Sequence, residues 1–182
     1  MDIAKDLFFS QQALAALFSV TNKLQMRGDN YLGGGLTIRQ MLAIPAIIHA
    51  PDRKSTINHI ARTLGTTKQN AKQIVGAMEK KKYLSVTPSE QDKRAVNIRI
   101  TPEGEQAFSA CSERTDVFLA DIFHNFSTED LETFCTLLNK LYRFDGAEQN
   151  SSLQHADYNA NDADSILQHH QNFLKRRTDN HE

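Results

Sequence analysis

Apolar positions recur at three- and four-residue steps along most of this chain and alternate in only one stretch, which predicts helices surrounding a single hairpin. Ile3 to Met26 places Leu7, Leu14, Leu17, Phe18 and Leu24 on one broad helical stripe. Met41 to Ile48 is almost continuously apolar, but Pro45 lies inside it. Proline lacks the backbone donor, so this helix is expected to kink or divide. Ile57, Ile60, Ala61 and Leu64 share a face, and Gly65-Thr66 follows where a helix would stop and turn. Thr67 stands where a side-chain oxygen caps the next helix, whose inward stripe is Ala71, Ile74, Val75 and Met78. Tyr83–Thr87 and Val96–Ile100 then alternate as half-buried strands, separated by the polar segment Pro88–Ala95. Two more helical stripes complete the pattern: Pro102 to Asn125 carries Ala107, Phe108, Cys111, Phe118, Ile122 and Phe123, and Leu131 to Phe144 carries Phe134, Leu138, Leu141 and Tyr142.

From Ile57 to Gly104 the order of helix, Gly turn, helix and hairpin is that of a helix-turn-helix with a wing, a shape that fits duplex DNA. With Ala71, Ile74, Val75 and Met78 facing inward, the opposite face must carry Lys68, Gln69, Asn70, Lys72, Gln73 and Lys80. Amide side chains pair bidentately with adenine edges and lysine reaches guanine or phosphate, so this face suits a major groove. The same residue types also make an ordinary solvated helix face. What tips the balance is the hairpin, whose tip carries Lys93 and Arg94. A protruding arginine beside a groove-reading helix can enter a narrow minor groove, where the negative potential is deepest.

Total charge argues the other way until it is resolved along the chain. The formal net charge is -1, which by itself does not suggest a nucleic-acid partner. Between Arg53 and Arg99, however, eleven Lys and Arg face three acids, a balance of +8, whereas between Ile100 and Gln149 three face ten, a balance of -7. The basic block coincides with the helix-turn-helix and wing, and phosphate binding is an electrostatic term that such a concentration serves.

The 182 residues, 40% of them hydrophobic, suffice for one domain with an appendage. No apolar run is long enough to span a bilayer, and the start, Met1-Asp2-Ile3-Ala4-Lys5-Asp6, lacks the basic-then-apolar layout of a secretory signal, so a cytoplasmic location is expected. Cys111 and Cys135 form no C-x-x-C pair and lie on the stripes of two helices, as small core residues would. Asn30 to Gly35, with Gly33-Gly34-Gly35, reads as a flexible connection and lacks the G-K-S/T continuation of a phosphate loop. After Phe144 the chain turns polar through Asn161, and then Ile166, Leu167, His170, Phe173 and Leu174 share one face of a short helix ending in Lys175-Arg176-Arg177. Asp157-x-Asn159-x-Asn161 imitates the start of a calcium loop, but Asp162 replaces its glycine and Gln168 its bidentate glutamate. His169, His170 and His181 show no metal spacing and are expected at the surface. Paired carboxylates, a nucleophile elbow and a metal-ligand set are all missing from the sequence, so neither an enzyme nor a cofactor-dependent protein is expected.

The residues Leu36-Thr37 and Gln40, Ile60-Ala61, Thr67 through Glu79, the wing signature Asp92-Lys93-Arg94, and Ile100-Thr101-Pro102-Glu103-Gly104 together resemble the MarR family of winged-helix transcription regulators. The resemblance runs from about Leu7 to Phe144. It implies that Lys68, Gln69, Asn70, Lys72 and Gln73 face the major groove, that Thr67 caps near a phosphate, that Lys93 and Arg94 form the wing contact with Arg94 in the minor groove, and that Asp92 supports the wing. The chain departs from the family in having Lys81-Lys82-Tyr83 where a glycine usually ends the recognition helix.

The expected architecture is therefore mainly α, a winged helix-turn-helix lobe with a helical dimerisation region built from N- and C-terminal helices. Residues 1–35 would supply a dimerisation helix and Gly-rich loop, 36–101 the DNA-binding lobe, 102–145 further dimerisation helices, and 146–182 a polar linker with a short amphipathic helix. A winged helix cannot cover three further apolar stripes, so they are expected to pack on one another and on a second copy. The expected function is a homodimeric transcription regulator, in the first instance a repressor, on a palindromic operator, with a small effector as the further partner the resemblance implies. The competing expectation is an adapter whose cationic face meets an acidic protein.

Overall fold

The helical stripes fold as helices and the alternating stretch folds as a two-stranded ribbon, giving the mainly α winged-helix architecture expected. The computed structural model describes residues 2–50, 55–89, 96–146 and 170–179. Helix α1 (Ile3–Leu32) is opened by Asp2, whose carboxylate accepts the Lys5 N–H at 3.1 Å. It is closed by Gly33 in the left-handed region (φ 64°), which donates to the Asn30 carbonyl. Asn30–Leu32 are thus the last turn of a helix, not the start of a flexible connection. The turn is built in: Arg114 donates to the Leu32 carbonyl at 2.9 Å, and a Cβ on Gly33 would lie 2.5 Å from the same guanidinium nitrogen.

Helix α2 (Ile38–Ile48) is continuous, so the division expected at Pro45 does not occur. The proline removes one ladder bond, while the His49 N–H still reaches the Pro45 carbonyl at 2.9 Å and Met41, Ala43, Ile44, Ala46 and Ile47 are held by burial. Its first turn is fixed by a capping box in which Gln40 donates its N–H to the Thr37 hydroxyl and accepts the Thr37 N–H on its amide oxygen. That reciprocal bond lets a polar Gln40 sit in the core.

Helices α3 (Ile57–Thr63) and α4 (Lys68–Lys80) end in the same way. After α3, Gly65 (φ 59°) donates to the Arg62 carbonyl and Thr66 to that of Ala61; after α4, Lys82 (φ 61°) donates to Glu79 and Tyr83 to Met78. Both are Schellman stops, one with glycine and one with lysine in the left-handed position. Lys82 therefore accepts the strain that the family's glycine avoids.

Strands β1 (Leu84–Pro88) and β2 (Val96–Ile100) pair antiparallel with Leu84 opposite Ile100 and Val86 opposite Ile98, and Ser55 adds a bridge by accepting the Ile98 N–H at 2.9 Å. Tyr83, expected in the first strand, is instead spent on the helix stop. Leu84 and Ile98 point into one core with Ile44, Ile60, Ala71, Ile74, Val75 and Met78, which Leu32 and Cys111 extend.

Helix α5 (Pro102–Ile122) leaves the lobe from its Thr101 cap, and α6 (Thr128–Tyr142) follows a capping box of Ser127 and Asp130. The Ser127 backbone N–H and hydroxyl hold the Asp130 carboxyl below the usual carboxylate range. A short 3-10 turn, Arg143–Asp145, ends this part of the chain, and α7 (Gln171–Asp179) lies against α5. Cys111 is buried, but Cys135, expected in a core, is exposed on α6 because no described element covers that face. Among the described residues no helix is long and apolar enough to cross a membrane.

Candidate nucleic-acid interface

One face of α4 is locked in the core through Ala71, Ile74, Val75 and Met78, and this fixes what its other face offers. Thr67, Lys68, Gln69, Lys72 and Gln73 are all exposed on that outer face, close to the helix start. Thr67 caps as its position suggested, its hydroxyl accepting the Asn70 N–H at 3.2 Å.

Asn70 differs from its neighbours. It is half-buried, and its side-chain amide donates to the Thr66 hydroxyl at 2.7 Å. The structure thus brings Gln69 and Gln73 together with Lys68 and Lys72 on an open face and turns Asn70 back onto the α3–α4 turn. A sequence face assigns all six outward residues alike; a bond between side chains four positions apart is what separates them.

Asp92, Lys93 and Arg94, expected at the wing tip, lie outside the described residues. The ribbon that leads to them is described: Ser85 opposes Arg99 and Thr87 opposes Asn97, forming its polar outer face. Arg99 is exposed there, a cation that the alternation of β2 could have singled out and that only the general charge balance included. Lys81, by contrast, is occupied: its ammonium donates to the Gly35 carbonyl at 2.7 Å and lies 5.8 Å from the Tyr83 ring centre.

The stop of α4 and the start of α5 share a joint. The Thr101 N–H donates to the Tyr83 carbonyl at 3.1 Å, the Thr101 hydroxyl donates to the Lys82 carbonyl, and the same hydroxyl accepts the Gly104 N–H. Gly104 is required by this approach, since a Cβ there would lie 2.2 Å from the Tyr83 carbonyl oxygen. At the opposite end of α4, Tyr142 of α6 reaches the α3–α4 turn, its hydroxyl 3.4 Å from the Arg62 carbonyl.

A cleft of about 440 Å³ separates α1 from the lobe. Leu24, Ile38, Leu42, Leu64 and Ile74 make it mainly apolar, with Thr21, Gln25, Arg39, Thr66 and Asn70 as its polar rim. Among the described residues no group of three or more His, Cys, Asp or Glu could hold a metal ion.

A helix-turn-helix whose second helix presents amides and lysines beside a two-stranded ribbon defines a winged-helix protein of the DNA-reading type. Residues 34–95 match the MarR family model, so this part of the chain is similar to the MarR family of transcriptional regulators. It is 24% identical over 152 residues to the transcriptional activatory protein BadR of Rhodopseudomonas palustris, covering 80% of this chain and 83% of BadR. Its fold matches the S. aureus MepR–DNA complex with a TM-score of 0.62 at 22% identity, over 70% of this chain and 95% of that one. It also matches the organohalide-sensing regulator RdhR in its 2,4-dichlorophenol-bound form, with a TM-score of 0.69 at 15% identity, over 83% and 91% of the two chains. These relatives are transcriptional regulators, not enzymes.

Proposed function

We propose that the protein is a cytoplasmic homodimer that represses transcription by occupying a palindromic operator. The observation that carries this reading is the open face of α4, where Lys68, Gln69, Lys72 and Gln73 stand exposed on a helix whose other face is fixed in the core. In this reading Gln69 and Gln73 read base edges, Lys68 and Lys72 meet phosphate or guanine, and Thr67 approaches a phosphate. Asn70 holds the turn, and Lys93 and Arg94, supported by Asp92, reach the flanking groove. Residues 36–101 act as the DNA-binding lobe, 1–35 and 102–145 as the dimerisation region.

The dimer is supported by what a single chain leaves uncovered. Ile3, Leu7, Phe8, Phe9, Leu14 and Phe18 on α1 and Phe134, Leu137, Leu138 and Leu141 on α6 are exposed, although each helix has an apolar stripe. A second copy related by a two-fold axis covers both and sets two recognition helices about 34 Å apart, one turn of DNA. Repression by occlusion needs only occupancy of the operator. BadR is named as an activator, so the sign is checked by transcription in vitro from a promoter carrying the selected operator.

The cleft between α1 and the lobe suits a small, mainly apolar effector, and RdhR, in a 2,4-dichlorophenol-bound form, supports a ligand-responsive reading. Such a ligand lowers DNA affinity only if it binds the DNA-incompetent arrangement more tightly.

The test is selection of bound duplexes from a random pool, followed by mobility shifts at several salt concentrations. A two-fold-symmetric pair of half-sites and loss of binding in the Lys68→Ala/Lys72→Ala/Arg94→Ala variant are expected. Undiminished retention by that variant overturns the reading and leaves the adapter.

A further inference from the structure

Helix α7 lies beyond residues 34–95, where the family model matches, and among the described residues its bonds to other helices meet the distal part of α5 and its corner with α6. His170 bonds through Nδ1 to the Asp116 carboxylate at 2.7 Å. Asp116 is 3% exposed on α5, and among the described residues this buried carboxylate is met by His170, the residue that leads into α7, which offsets the cost of burying it. Arg176 donates to Asp121 at 2.7 Å, and the Tyr31 hydroxyl of α1 donates to the other oxygen of the same carboxylate. Asp121 therefore joins three helices.

Arg177 completes the attachment. It donates to the carbonyl of Phe123, the residue that ends α5, and at 2.8 Å to that of Phe126 in the turn to α6. A guanidinium across the last carbonyls of a helix satisfies acceptors that the helix leaves open and complements its dipole. The Phe126 ring in turn packs against Phe123 and against Phe134 of α6. The angle between α5 and α6 is thus held from outside by α7, and the packing of α1 on α5 is held through Asp121.

We propose that α7 is a clamp on the dimerisation helices, and that His170, Arg176 and Arg177 are positioning residues that fix the spacing of the two DNA-reading lobes. It rests on the DNA-binding homodimer proposed above. The path is physical and short: α5 begins at the Thr101 joint with the recognition helix and ends at the corner that Arg177 holds. A fixed corner gives one spacing between lobes, and a loosened corner gives several. The residues that touch bases are untouched by the clamp, so half-site sequence and half-site spacing separate its role from the recognition residues' own.

The experiment compares the full-length chain with its Arg176→Ala/Arg177→Ala variant, using random-pool selection and hydrogen–deuterium exchange. The expected result is faster exchange in 171–179 and at the α5–α6 corner, an unchanged half-site sequence, and selected sites with a broadened spacing. Affinity for the wild-type full site should fall about tenfold, because the second lobe then binds at a lower effective concentration. Faster exchange in α7 with one unchanged spacing overturns the clamp, and so does unchanged exchange in α7. Should the double variant not fold, Arg177→Ala alone is read in the same way. If the wild-type chain selects no DNA, the regulator reading fails separately, and exchange at the α5–α6 corner still decides whether α7 holds it.

Discussion

The Thr101 hydroxyl donates to the Lys82 carbonyl at 2.7 Å, tying the residue that opens α5 to the one that closes α4. Because the same oxygen accepts the Gly104 N–H, one side chain both caps α5 and fixes the end of α4. Thr101→Val keeps the shape and loses both bonds. A loss of about 1–2 kcal/mol is expected, from one cap and one part-buried hydrogen bond, with most of it retained in Thr101→Ser. Urea unfolding of the three proteins measures this.

Lys82→Gly should stabilise the protein. A left-handed lysine is strained by about 1–2 kcal/mol, while glycine loses about 0.5–1 kcal/mol more backbone entropy on folding, so the net gain is about 0.5–1 kcal/mol. Gly65→Ala reverses the experiment at the equivalent stop of α3 and should cost about 1 kcal/mol. If thermal midpoints move in the same direction for both variants, the comparison of the two stops is wrong.

Gly104→Ala should be more damaging than Gly65→Ala. The added Cβ would meet the Tyr83 backbone oxygen at 2.2 Å, and backbone cannot move aside as a flexible side chain can. A cost of about 1–3 kcal/mol is expected, with α5 displaced from the lobe. Denaturant titration gives the energy, and a normal midpoint would show that α5 does not need this close approach.

On the recognition face the substitutions should divide by chemistry. Gln69→Ala and Gln73→Ala should relax base preference by about 1–3 kcal/mol at particular positions. Lys68→Ala and Lys72→Ala should weaken all sequences alike and each lower the salt slope by about 0.9. Asn70→Ala should leave base preference unchanged and lower stability, because its amide is bound to Thr66. Binding to single-base operator variants at several salt concentrations distinguishes the three patterns.

Alkaline pH should act through Tyr31. Its hydroxyl donates to Asp121, and that bond, followed by desolvation and the Asp121 charge, raises its pKa above the ordinary tyrosine value. A folded-state pKa above the unfolded one contributes stability that is complete below about pH 10 and is lost as pH rises through the raised value. The wild type should therefore lose stability in that window and Tyr31→Phe should lose less, as followed by unfolding midpoints across the alkaline range. Equal slopes for the two proteins would contradict the Tyr31–Asp121 bond.

Much of the fold could be read from the chain because it depends on neighbours a few residues away. The stripes of α3 and α4, the Thr67 cap, the Gly65 stop and the alternation of the two strands all follow from a helical or two-residue period and from what one side chain can do for its own backbone. The composition of the outer face of α4 was legible for the same reason. Even Lys82 was marked by sequence as the position where a left-handed residue had to be tolerated or avoided.

Tertiary structure decided what depends on which faces meet. It kept α2 whole across Pro45, because burial on the lobe side outweighs one lost ladder bond, and it made Gly33 a cap against Arg114 where the sequence suggested slack. It turned Asn70 back onto the α3–α4 turn and set Gly104 against Tyr83. It also brought His170, Arg176 and Arg177 back across more than fifty positions to Asp116, Asp121 and the carbonyls at the end of α5. Periodicity reports that a face is apolar or charged, but it carries no information about the partner. That choice is made only when the faces compete for one another in the folded chain.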